Sequence, residues 1–594
     1  MASKSVNPNS NASGPAIRLA VSCLCVLAAL PGKSADAPAT SPAPAPPAAR
    51  DLELSPFGIG SCHTNNTSAQ ANAKWVPQMT AIGITNHRTC HTGWGAVEPE
   101  EGKWTWDALD AQMSYLEGQH IVFGGILIGN PKWNSKDKKG GLPVNNQAGW
   151  SKYVSEVVKH AKGKIKNWEV WNEPPNGTGH DQTAADYAKI VIAAYDAAKA
   201  ADPDCLVGIA AKSVAINYLD QTLKAGAKGH FDYVTLHPYE VAGCIVTHPG
   251  TEVVYLQIAS TLRKMLAVQD PAKVNCPIIF TELGYAAAGK HNILGPDTQG
   301  HALVKYYAMG IAQGITCIQW FEAMDGDSGP MGLLKGNGEK RPAYTALAQM
   351  IKYFGPHPTY LGWVLLNNKH YAFVFQGAKG TVLATWASSK ATDNVDFGQP
   401  VQIVDPLNGN VTQAASYALT TTPILLDGVP DNLVKLAASN KAKPFTWNGD
   451  YTGAQSVSVT MGEKNVEKGL HTHSAESIAA DVLAYGGSAR AGSIPGGNVF
   501  MVDPNFLTYA STPIEISVVV RRDAANDPVK LTLTYESTTG YKKAEPYDVP
   551  DNKEWHTATW KIDDAQFVSQ WAYNFTLNTG KYFVQSVTVT KLEK

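Results

Sequence analysis

Eight short apolar runs, longer stretches of helical period between them, and apolar–polar alternation beyond Phe354 predict an α/β chain: a (β/α)8 TIM barrel, then a small β-domain and a C-terminal β-sandwich. The runs are FGIGSC (57–62), GITNHRTC (83–90), IVFGGILIG (121–129), NWEVWNE (167–173), CLVGIAA (205–211), DYVTLHPY (232–239), PIIFTELGY (277–285) and ITCIQWFEA (315–323). Strands buried on both faces read as continuous apolar runs, and alternation with helices implies a parallel sheet. TAADYAKIVIAAYDAAKAADP (183–203) shows the helical part of the pattern, apolar at i, i+3 and i+4 and stopped by Asp202-Pro203. A doubly wound sheet is the structural alternative, but no Gly-rich dinucleotide turn follows the first run. The barrel is expected over 52–355. Beyond it, YAFVFQGAKGTVLATWAS and PVQIVDPLNGNV are strands at hairpin spacing with Gly and Asn in the turns, which predicts a small β-domain over 356–435 packed on the barrel. PIEISVVVRR, KLTLTYES, HTATWKI and YFVQSVTVTKL alternate over 440–594 and predict the sandwich.

The chain of 594 residues exceeds a single core, and 44% apolar with 17% charged residues is globular composition. Its formal net charge of −2 and the lack of a sustained basic run give no footing for nucleic acid or an anionic membrane surface. The N-terminus reads as a signal peptide over 1–37: Lys4 and Arg18 precede a 12-residue apolar run, Leu19 to Leu30, too short to span a bilayer, and small residues lead to Ala37. A lipoprotein reading through Cys23 or Cys25 is weaker, because the apolar run continues past both. A Pro/Ala-rich linker follows over 38–51. No other stretch reaches transmembrane length, so the chain is expected to be secreted or periplasmic. The six cysteines after the signal leave their connectivity open, with buried free thiols for Cys90, Cys205 and Cys317 at least as good a reading as disulfides.

In such a barrel, reactive groups gather at the C-terminal ends of the strands. Two carboxylates stand there: Glu173 ends strand four, with Pro174 and Pro175 barring continuation, and Glu282 ends strand seven. They are 109 residues apart, so only the fold can bring them together. Glycoside hydrolysis needs two carboxyl groups, one to protonate the leaving oxygen and one to attack or direct water. A single Glu at a strand end is more often a solvated or capping residue; two, at strands four and seven and one of them preceded by Asn172, favour chemistry. The 15 Trp exceed what a core of this size requires, and a ring face can stack on a sugar, although most Trp fill cores.

WEVWNEP and a Glu after strand seven resemble glycoside hydrolase clan A, the retaining (β/α)8 glycosidases. HRTCHTGWGAVEPEEGKWTWDALD resembles the second strand and loop of family 39 and its relatives, and HPY after strand six and GNPKW after strand three fit as well. The resemblance covers about residues 55–355. It implies Glu173 as general acid/base with a raised pKa, Glu282 as nucleophile, and Asn172 on the sugar 2-hydroxyl. It also implies Arg88 and Tyr239 as the groups that hold Glu282 ionised, His237 in the same pocket, and Trp320 as the floor under the sugar ring. Trp94 and Trp133 are candidates for flanking subsites or for packing, His91 and His63 for pocket or core, and Arg88 has a structural ion pair as its rival reading.

No metal or other cofactor is expected. GSCHTNN (60–66), at the end of the first run, holds a single His where a metal-dependent barrel hydrolase would carry H-x-H, the HTH at 471–473 has no carboxylate or Cys partner evident nearby, and DGDSG (325–329) reads as a turn. The expected function is thus a secreted retaining hydrolase of O-glycosidic bonds in a polysaccharide or oligosaccharide, acting by double displacement with a carbohydrate substrate as its partner. Its rivals are a carbohydrate-binding protein whose chemistry has lapsed and a transglycosylase on the same barrel. The sandwich is expected to bind carbohydrate or anchor the enzyme, by analogy with appended modules.

Overall fold

A computed structural model describes residues 54–593 apart from 61–67, 90, 136–139, 180–181, 290–294, 327, 463–464, 473–480, 485–486 and 494–497. The expected signal and linker, together with Cys62, His63, Cys90 and His473, lie outside the described residues. Eight parallel strands close into a barrel: β1 Phe57–Gly60, β2 Asn86–Thr89, β3 Val122–Leu127, β4 Asn167–Val170, β5 Leu206–Lys212, β6 Tyr233–His237, β7 Ile278–Leu283 and β8 Cys317–Trp320. Closure is made by β1 on β8, with Phe57 opposite Ile318 and Ile59 opposite Trp320. Each strand coincides with one of the apolar runs. The helix expected from 183 spans Ala184–Ala201; Thr183 caps it, its hydroxyl accepting from Asp186 N while Asp186 accepts from Thr183 N, and it stops at Asp202. Gly125 of β3 lets the Trp168 ring pass, since a Cβ there would lie 2.5 Å from it. Cys205, Cys244, Cys276 and Cys317 are buried thiols.

After the barrel comes a six-stranded antiparallel sheet, order β13-β12-β14-β11-β10-β9, made of β9 Thr359–Leu366, β10 His370–Gln376, β11 Thr381–Thr385, β12 Asp393–Val404, β13 Val411–Leu419 and β14 Ile424–Asp427. One face is its own core, around Val374, Leu383, Ile403 and Leu426. Through Phe375, whose ring is 4.8 Å from that of Phe354, the other face joins the barrel's core. The final region packs a seven-stranded against a five-stranded sheet, with Val457, Ile516 and Val518 meeting Phe500 and Phe575 between them. Alternation in Ile514–Arg522 buries Ile514, Ile516, Val518 and Val520, as period two requires. This sandwich is docked on the barrel side that follows β5 and β6. Asn217 Nδ2 donates to the carbonyls of Ser537 (3.1 Å) and Gln566 (3.0 Å), and Tyr509 Oη donates to Asp220 Oδ1 (2.7 Å). Among the described residues no helix is long and apolar enough to cross a membrane.

Candidate active site

Two local departures from regular strand geometry aim the paired carboxylates. At the end of β4 the backbone turns through left-handed conformations at Trp171 (φ 70°) and Glu173 (φ 50°), which non-glycine residues adopt at a cost of about 1–3 kcal/mol each. The turn is held by Asn176 N donating to Glu173 O (2.6 Å) and Lys212 N donating to Pro174 O (3.0 Å). In β7 the register with β8 shifts: Phe280 faces Ile318 but Leu283 faces Trp320, so three steps on β7 span two on β8. That irregularity falls on Thr281 and Glu282. A bulge re-aims side chains that strict alternation would send to opposite faces, and here both residues reach the same cluster.

The cluster is built around Arg88, which is buried and donates to Glu169, Glu282 and Asn172. Its Nε donates to Glu169 Oε2 (2.7 Å), Nη1 to Glu282 Oε1 (2.5 Å) and Nη2 to Asn172 Oδ1 (2.7 Å). Tyr239 Oη donates to the other oxygen of Glu282 (3.3 Å). The guanidinium and the hydroxyl take one oxygen each and so fix the orientation of the carboxylate. Because Arg88 occupies Asn172 Oδ1, the amide turns its Nδ2 donor elsewhere.

His237 Nδ1 is 3.0 Å from Glu173 Oε1 and 3.6 Å from Glu282 Oε2, while its Nε2 is 2.9 Å from Thr281 Oγ1. Thr281 spends its own proton on Glu169 Oε1 (3.0 Å), so the network assigns Nε2–H to the imidazole as the donor to Thr281. Nδ1 then accepts from a protonated Glu173 when the ring is neutral, or donates to the carboxylate when the ring is charged. One proton can thus be shared between His237 and Glu173. Burial pushes the Glu173 carboxyl up, but the bond and charge of His237, the charge of Lys212 and the Asn176 amide outweigh it, and the net shift is downward. The raised pKa expected for Glu173 is corrected accordingly: the dry wall is present, and the positive groups dominate it.

One oxygen each of Glu173 and Glu282 lies within 4.8 Å of the other and of a His237 nitrogen. Among the described residues this is the one set with metal-ligand spacing. The Arg88 cation at 2.5 Å from Glu282 opposes a second positive charge there, so the set fits an acid–nucleophile pair better than a cation site.

Arg88, Asn172, Glu173, His237, Tyr239 and Glu282 lie in one hydrogen-bonded cluster. The tryptophans divide differently. Trp320 is 0% exposed and packs beside Tyr306, so it presents no face to a sugar. Trp94 is also 0% exposed, with its Nε1 on Glu98 Oε2 (2.7 Å) and its ring stacked on Tyr153. The floor expected of Trp320 is corrected to packing, and of the two readings for Trp94 the packing one holds: both rings turn into the core. Trp133 keeps part of its surface, stands edge-on to Trp94, and donates to Glu98 O (2.9 Å). His91 is partly exposed beyond β2, and its charge acts on the buried His87. Glu322 is buried, its Oε1 accepting from Gly326 N (3.1 Å), and Asp325 forms a bidentate pair with Arg341 (2.6 Å for each bond). In the HTH segment, His471 does have a carboxylate partner, Glu467 at 2.9 Å, four residues earlier in the chain.

Sequence reasoning missed Glu169, Thr235 and Thr281. Glu169 accepts from Arg88, from Thr235 Oγ1 (2.7 Å) and from Thr281 Oγ1. Its signal was available: a carboxylate in the middle of the apolar run NWEVW is costly to bury unless paired.

The Glycosyl hydrolase family 10 sequence model matches residues 54–235, a span that contains Arg88, Asn172 and Glu173 but ends before His237 and Glu282. The chain is 30% identical over 153 residues to endo-1,4-beta-xylanase A of Phanerodontia chrysosporium (23% of this chain, 36% of that protein). It is also 30% identical over 191 residues to endo-1,4-beta-xylanase A of Xylanibacter ruminicola (27% of this chain, 51% of that protein). It therefore spans about a third to a half of the curated relatives it matches. A solved family 39 glycoside hydrolase from Bacteroides cellulosilyticus WH2 shares the fold, with a TM-score of 0.50 and 17% identity over 63% of this chain and 80% of that one. Over β1 to β4 the chain is thus similar in sequence to glycosyl hydrolase family 10, and its closed barrel shares the fold of the family 39 enzyme.

Proposed function

We propose that the protein is an exported retaining hydrolase of O-glycosidic bonds in a polysaccharide or its oligosaccharides. The observation that carries this reading is the approach of Glu173 and Glu282, from the ends of β4 and β7, to within 4.8 Å. A carboxyl separation near 5 Å suits retention, whereas inversion needs roughly 6.5–9.5 Å to admit a water. In the first step Glu282 attacks the anomeric carbon, the bond to the leaving oxygen breaks, and Glu173 gives that oxygen its proton. In the second, Glu173 takes a proton from water, the water oxygen bonds to the anomeric carbon, and Glu282 leaves as carboxylate. Arg88 and Tyr239 hold Glu282 aimed, Asn172 offers its Nδ2 to the sugar 2-hydroxyl, and His237 exchanges a proton with Glu173. A β-1,4-xylan is the first substrate to test, because both matched relatives bear the xylanase name. Export rests on the signal expected over 1–37.

The experiment is a panel of xylan, glucan, mannan and galactan, with product lengths and the anomeric configuration of the first product read by NMR. Glu282→Ala should abolish turnover, by about four orders of magnitude or more. Glu173→Ala should spare aryl glycosides with good leaving groups and yield a glycosyl azide when azide is added. An inverted first product, or full activity in Glu282→Ala, ends this reading.

A further inference from the structure

A loop of the C-terminal sandwich reaches the rim of the active site, and its construction is specific. Glu536 is buried, and its two oxygens accept from Val568 N (2.9 Å), Ser569 N (3.0 Å), Gln570 N (2.7 Å) and Asn574 Nδ2 (2.9 Å). These bonds hold segment 568–574 in a fixed shape, with Ser569 (φ 58°) and Ala572 (φ 62°) in left-handed conformations. Val568 and Ala572 belong to the barrel's apolar core rather than the sandwich's own. Gln570 O accepts from Ser213 Oγ (2.7 Å), just past the end of β5. Such an arrangement exceeds what joining two domains requires, since Asn217, Asp220 and Tyr509 already join them.

What the loop presents is Trp571, partly exposed, with Lys212 Nζ 5.6 Å from its ring centroid. Lys212 is the last residue of β5, its backbone bonds Pro174, and its charge acts on Glu173. The same lysine side chain therefore faces the Trp571 ring and acts through its charge on the proposed acid. β5 is the neighbour of β4 in the barrel, so the ring stands beside the strand that carries Glu173, the group that would protonate the leaving oxygen.

Resting on the hydrolase reading above, we propose that Trp571 is a sugar-stacking platform on the leaving-group side, beyond the first leaving unit, and that the C-terminal sandwich completes the substrate cleft of the barrel. Lys212 backs the ring and offers an ammonium donor to hydroxyls of the same sugar unit. An aromatic face against a pyranose recognises backbone shape in a chain of β-linked units, so the device favours oligomers over short glycosides.

The test compares kcat/KM on xylohexaose with that on 4-nitrophenyl β-xylobioside, or the matching pair from whichever backbone the panel selects. The aryl group fills the first leaving position and does not reach Trp571. In the full chain, Trp571→Ala should lower the hexaose-to-aryl ratio by about tenfold, through KM, and Trp571→Phe should restore most of it. Hexaose binding to the Glu282→Ala chain, measured by calorimetry, should weaken by a similar factor when Trp571→Ala is added. An unchanged ratio, whether both substrates lose activity together or neither does, overturns the platform, as does unaltered binding. A wild-type chain that cleaves neither substrate overturns the hydrolase reading instead.

Discussion

The barrel and the sandwich each bury a carboxylate under several donors, and they neutralise it differently. Glu169 of the barrel accepts from the Arg88 guanidinium and two threonine hydroxyls, and both Arg88 and Thr281 also touch the machinery: Arg88 bonds Glu282 and Asn172, and Thr281 bonds His237. Glu536 of the sandwich accepts from three backbone amides, the Asn574 amide and the Tyr541 hydroxyl. Burial pushes the Glu536 carboxyl up to about 7 against the pull of those donors. The first arrangement transmits charge to a reacting group. The second transmits only shape, because backbone donors are fixed dipoles that hold a loop in place. A buried carboxylate with a cation thus belongs to the chemistry here, and one with amides belongs to the scaffold.

That contrast breaks if both substitutions have the same effect. Glu169→Gln leaves Arg88 one full negative partner fewer, so the guanidinium is expected to reposition and kcat to fall by about ten- to a hundredfold on every substrate, aryl glycosides included. Glu536→Gln puts an NH2 group against backbone N–H groups. It should cost on the order of 3 kcal/mol of sandwich stability, read as a lowered Tm, while the loss of activity is confined to oligomers. Equal kcat loss from both on the aryl glycoside would erase the distinction.

A second prediction sharpens the charge half of the comparison. His237 and Lys212 hold the Glu173 pKa down, and the acid form of Glu173 is needed for the first step. The alkaline limb of kcat/KM reports the acid in the free enzyme. His237→Asn removes a potential cation and a lowering contact, so Glu173 keeps its proton to higher pH and that limb should move up. A limb that stays fixed or moves down would mean that His237 does not govern the Glu173 proton. The smallest effect is expected far from the site: Thr183→Ala removes a helix cap and should cost about 1 kcal/mol with unchanged kinetics.

The eight barrel strands were legible because burial on both faces leaves a local mark, a continuous apolar run bounded by helical period. Glu173 was legible because Asn172 and two prolines stop a strand at a carboxylate. Trp320 was misread for the converse reason: a position at a strand end does not say which way a ring turns, and this one turns into a core assembled from distant helices. Glu169 left a mark, a charge inside an apolar run, whose meaning depended on Arg88, 81 residues earlier.

By itself the sequence determined the order and kind of the elements and the residue types at the strand ends, because periodicity, proline stops and caps act over a few residues. The tertiary structure decided which side chains meet. The bulge at Thr281 and Glu282, the bonds from Arg88 to Glu169, Glu282 and Asn172, and the seat of Trp571 beside Lys212 all depend on contacts between residues far apart in the chain. No local pattern encodes such contacts, because the free energy that fixes them is released only when the barrel closes and the sandwich docks.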